Sequence, residues 1–228
     1  MKNYKFVLFM MLALFTACVN NQKNSSENNS LPNDTLTDNE FYQKVAEIIE
    51  QDWKENKTEE NTELKKSADG RIITEAYITQ RNDDEEPIAG MPEYSLDTVF
   101  YSDFDQDGKQ DALVKAGFTF GSSSLGIMDL YYLFLNTNNG FEYIYKFDNA
   151  ELALQVISKN GDEYPGRFDL KKTDGNKISG NAIYYPQYGV ANFVVDTVDK
   201  LDFTYNKETR RFELTNTSEY IKGERVEE

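Results

Sequence analysis

From Arg71 onward, β-branched and aromatic residues alternate with polar ones, and turn residues recur at short intervals. A period of two places every second side chain on one face of an extended strand, so a chain written this way must find sheet partners and bury that face. The pattern predicts strands at Arg71–Gln80, Tyr94–Ser102, Ala112–Phe120, Met128–Asn136, Phe141–Phe147, Leu152–Ser158, Phe168–Thr173, Lys177–Tyr184, Val194–Tyr205 and Arg211–Thr215. Asn138-Asn139-Gly140, Thr173-Asp174-Gly175 and Asn206-Lys207-Glu208-Thr209 separate pairs of them as hairpin connections.

Ahead of this region the period is different. Thr37-Asp38-Asn39-Glu40 has the form of a capping box, in which a side-chain oxygen accepts a free N–H of the first turn and Glu40 reaches back. Phe41, Val45, Ile48, Ile49 and Trp53 then recur at spacings of three and four and form the apolar stripe of a helix. Residues 55–69 are charged and Asn/Thr-rich and read as a loop or a frayed helix end. The expected fold class is α+β: one N-terminal helix packed on a mainly antiparallel sheet. Residues 37–228 should form a single domain, since no second polar linker interrupts the strands.

Composition removes several chemistries. The 228 residues include no His and one Cys, which excludes His-based relays, His-ligated zinc, intrachain disulfides and Cys-based clusters. A net charge of −16 argues against nucleic acid, which is bound by neutralising phosphates with Lys and Arg.

The N-terminus indicates a location. Two Lys in Met1–Lys5 precede an apolar run from Phe6 to Ala17, too short to span a bilayer, which is the pattern of a signal peptide over residues 1–17. The run ends at Phe15-Thr16-Ala17-Cys18, with Phe15 where Leu is usual, and resembles the lipobox of bacterial lipoproteins. That resemblance implies lipidation of Cys18, a membrane partner through the lipid anchor and a cell-envelope location. Neither Val19 nor Asn20 is the Asp that retains such proteins at an inner membrane, so the outer membrane is expected. Residues 19–36 are Asn/Ser-rich and too polar to collapse, giving an expected tether with a reach of roughly 20–25 Å. Residues 1–17 hold two of the 24 basic residues and no acid, so the remainder carries 22 basic and 40 acidic residues, a net charge of −18. A body this acidic is repelled by anionic headgroups.

One segment carries a chemical signature. Asp103-Phe104-Asp105-Gln106-Asp107-Gly108-Lys109-Gln110-Asp111 has the form D-x-D-x-D-G-x-x-D. Alternate Asp side chains in a tightly wound loop converge on one point, and Gly108 lets the backbone turn sharply so that the Lys109 carbonyl faces the centre. Hard oxygen donors without nitrogen or sulfur favour calcium over zinc or copper. Positions 103–108 match the start of an EF-hand loop, but Val114 stands where that loop places its bidentate Glu, and the flanks look like strands. The segment therefore resembles the shorter calcium loops of FG-GAP and VCBS-type repeats and of small secreted lipoproteins carrying a "DxDGDGxxDAxV" stretch. The resemblance implies Asp103, Asp105, Asp107 and Asp111 as side-chain ligands, Lys109 as a carbonyl ligand, and a structural Ca2+.

Other features carry less. Gly117 to Gly126 is Gly/Ser-rich and reads as a hairpin loop rather than a phosphate cradle. Tyr131, Tyr132, Tyr143, Tyr145, Tyr184, Tyr185 and Tyr188 make the second half tyrosine-rich, with core and cross-strand pairing expected for most. Asp-Thr-Leu/Val triplets at Asp34, Asp97 and Asp196 resemble the O-glycosylation acceptor of Bacteroidota, with Thr35 in the tether the accessible one. The expected function is a non-enzymatic envelope binding or interaction module with a protein or glycan partner. The alternatives are a glycan hydrolase using a pair among Glu142, Asp148, Glu151, Asp169 and Asp202, and an immunity or inhibitor lipoprotein with an acidic binding face.

Overall fold

The computed structural model describes residues 36–56, 62–77, 93–119, 127–160, 166–185, 195–219 and 221–223. The expected signal peptide, Cys18, Thr35, most of the tether, Tyr188 and most of the Gly117–Gly126 stretch lie outside them. Leu36–Glu228 form one compact unit.

Helix α1 spans Asp38–Asn56 and starts as its capping box requires. The Thr37 N–H donates to Glu40 Oε2 (2.7 Å) and the Glu40 N–H to Thr37 Oγ1 (3.4 Å). Its buried stripe is Phe41, Tyr42, Val45, Ala46 and Ile49, with Ile48 packed at the margin. Burial of each large apolar side chain contributes roughly 1.5–3 kcal/mol, which far exceeds the helix's intrinsic propensity.

Among the described residues ten strands follow, all pairing antiparallel with their neighbours. β1 (Thr62–Lys66), β2 (Ile72–Tyr77), β3 (Glu93–Ser102), β4 (Asp111–Thr119), β5 (Ile127–Thr137) and β6 (Gly140–Asp148) form a six-stranded sheet in chain order. Helix α2 (Asn149–Asn160) leads to β7 (Gly166–Asp174), β8 (Lys177–Tyr184), β9 (Asp196–Asn206) and β10 (Arg211–Thr217), a four-stranded sheet in the order β10-β9-β8-β7. The described residues are thus mostly antiparallel β-structure, with two helices among them.

The expected single sheet is instead two, and the large sheet is buried on both faces. Ala112, Val114, Ala116, Leu130, Tyr132 and Phe134 pack with α1, whereas Leu113, Tyr131, Leu133, Leu135 and Phe147 pack with α2 and the small sheet. Successive side chains of β4 and β5 therefore enter different cores, which explains why Leu130–Leu135 are buried without alternation.

Two further expectations are corrected. Leu152–Ser158, expected as a strand, lies in α2. Leu152, Leu154 and Val156 alternate by accident: Leu152, Ala153 and Val156 are buried on one helical face, while Leu154 is 49% exposed. The signal for the helix was Asp148-Asn149-Ala150-Glu151, since Asp148 Oδ1 accepts the Glu151 N–H (2.6 Å) as an N-cap. Residues 55–69, expected as loop or frayed helix, include β1, whose short charged sequence TELKK blunts the edge of the sheet. Of the tyrosines, Tyr131, Tyr132, Tyr145 and Tyr184 join the cores, Tyr185 is half-buried, and Tyr143 is 37% exposed.

Candidate metal centre

Ser102 of β3 and Asp111 of β4 are the last paired residues of their hairpin, so residues 103–110 form its connection. The loop folds because its own side chains replace the missing ladder. Asp103 Oδ1 and Asp105 Oδ1 accept the Asp107 N–H (both 3.0 Å), Asp103 Oδ2 accepts the Gly108 N–H (3.1 Å), and Asp107 Oδ1 accepts the Lys109 N–H (2.8 Å). Gly108 takes φ +89°, the left-handed geometry its position called for. Gln106 also takes a positive φ, 56°, a conformation costing a side-chain-bearing residue on the order of 1 kcal/mol.

Asp111 is the deepest member and ties the loop to the sheet. Its Oδ2 accepts the N–H groups of Phe104 (2.7 Å) and Asp105 (3.3 Å), and its Oδ1 accepts the N–H of Asn136 on β5 (2.8 Å). Burial nevertheless pushes its carboxyl up to about 6, because loss of hydration outweighs these bonds and the nearby Asp105 charge adds to the shift.

Carboxylate oxygens of Asp103, Asp105 and Asp111 lie within 4.8 Å of one another, a cluster that could hold a metal ion. Oxygens bound at 2.3–2.6 Å to one calcium stand up to about 5 Å apart, so this spacing fits one coordination sphere. Lone pairs are also left over, since each carboxylate offers about four acceptor sites and Asp111 uses three, Asp103 two and Asp105 one. Asp107 is turned away from this group toward Lys109, with Oδ2 3.6 Å from Nζ, and the Lys109 ammonium donates to Asn138 Oδ1 (2.7 Å).

Phe104 is the residue that the spacing argument passed over. It occupies an x position of the motif, yet it is fully buried in the core between the sheets and meets Phe212 of β10 edge-on at 5.4 Å. A large aromatic in an otherwise polar loop was the available signal. The acidic cluster is therefore wired into the fold at two points: through Asp111 to β5, and through Phe104 to the small sheet.

The acids considered for glycan hydrolysis have other engagements. Glu142 pairs with Arg210 (2.8 Å), Glu151 with Arg211 (3.4 Å) and Asp169 with Lys171. Asp148 caps α2, and hydrogen bonds from Ser179 and Asn216 hold Asp202 below the ordinary carboxylate range. The chain matches no protein-family model, no curated protein and no solved structure.

The raised Asp111 carboxyl sets a pH dependence in EDTA. Its pKa is about 6 in the folded chain against 3.8 for the free side chain, so between these values the folded state binds the extra proton. Stability should be greatest below pH 4 with respect to this group and fall by about 2–3 kcal/mol as pH rises through 6. Denaturant titrations of wild type and Asp111→Asn from pH 4 to 7 isolate the contribution. Parallel curves would show that Asp111 does not titrate in this window.

Proposed function

We propose that this chain is a lipid-anchored bacterial envelope protein whose domain is a non-enzymatic binding or interaction module, stabilised by a calcium ion in the loop of residues 103–111. The observation that carries the calcium reading is the convergence of Asp103, Asp105 and Asp111 on one point, with Asp111 buried beneath them. Three carboxylates held this close repel one another, and a hard divalent cation converts that repulsion into attraction. Asp107 and the Lys109 carbonyl would complete the oxygen shell after a local adjustment of the loop. The ion's role is structural: it would hold the segment that places Phe104 in the inter-sheet core.

Without a bidentate Glu at Val114, the dissociation constant should lie near 10⁻⁴–10⁻³ M, in the range of extracellular modules. At about 1 mM calcium and a constant near 10⁻⁴ M, the stabilisation is roughly 1.4 kcal/mol, or about 3–6 °C in Tm. Melting of residues 37–228 in EDTA and in millimolar calcium, beside an Asp105→Ala/Asp107→Ala double variant, tests this. A calcium-dependent rise confined to the wild type supports the site, and equal midpoints in both conditions reject it.

The anchor is tested separately by growing a bacterial host that expresses the full chain on an alkyne-bearing fatty acid. Label and membrane association should appear on the wild-type protein and be absent from Cys18→Ser. Equal labelling of both would reject lipidation at Cys18.

A further inference from the structure

We draw no further inference here: the strongest candidate, the half-buried Lys115–Asp129 ion pair (3.3 Å) across β4 and β5 beside the buried Tyr131 hydroxyl, carries none because nothing in the structure shows what covers it.

Discussion

Phe104→Ala should lower the unfolding free energy by about 3–5 kcal/mol, the usual cost of emptying a buried aromatic site. In a domain of this size that corresponds to a fall in Tm of roughly 10 °C. The side chain is fully buried and touches the Phe212 ring, which in turn contacts Phe147 and Tyr205. Its removal therefore leaves a cavity where the β3–β4 loop, β6, β9 and β10 meet, and neighbours anchored in two different sheets have little freedom to close it. Phe104→Leu keeps most of the volume and should cost less than half as much. Urea denaturation of the three proteins in EDTA separates this effect from any metal. A loss below about 1 kcal/mol for the alanine variant would mean that the loop is not seated in the core as described.

Gly180→Ala should cost about 3 kcal/mol, the upper end of what overpacking by one methyl usually exacts. Gly180 of β8 lies opposite Leu170 of β7 beside an irregularity in that pairing. A Cβ there would stand 2.1 Å from the Asp169 carbonyl oxygen and 2.8 Å from two ring atoms of Phe168. A ring edge can shift, but a carbonyl oxygen held in a paired strand cannot move that far without breaking the ladder. Gly117 of β4 supplies the control, because a Cβ at that position meets nothing nearer than the Ser95 carbonyl oxygen at 3.9 Å. Gly117→Ala should stay within about 1 kcal/mol of wild type. Comparable midpoints for the two alanine variants in chemical denaturation would overturn the close approach of β7 and β8.

The elements that reasoning from sequence located best are those whose signal is contained within a few residues. The capping box before α1 is satisfied atom for atom, and Lys177–Tyr184 is a strand over the residues its alternation marks. The acidic loop was legible in part: Asp103, Asp105 and Asp111 come together and Gly108 takes its positive φ, whereas Asp107 faces Lys109 and Gln106 also takes a positive φ, neither of which the spacing conveys. Misreadings arose where local signals were ambiguous. Leu152–Ser158 fits a short buried strand as well as a helix, and only the Asp148 cap and the face that packs on the small sheet decide between them. Thr62–Lys66 is too charged to advertise a strand and becomes one because β2 offers it a ladder.

Sequence by itself determined the alternation that makes most of the described residues extended, the amphipathic helix ahead of it, and the oxygen-rich loop with Gly108 at its turn, because each follows from interactions between residues close along the chain. Only the tertiary structure decided that the strands divide into two sheets, that β4 and β5 feed one core with odd residues and another with even ones, and that Phe104 fastens the acidic loop to β10. Those outcomes depend on which apolar face finds which partner across tens of residues, and that choice is made by the area buried when whole layers pack together, a quantity no short stretch of sequence contains.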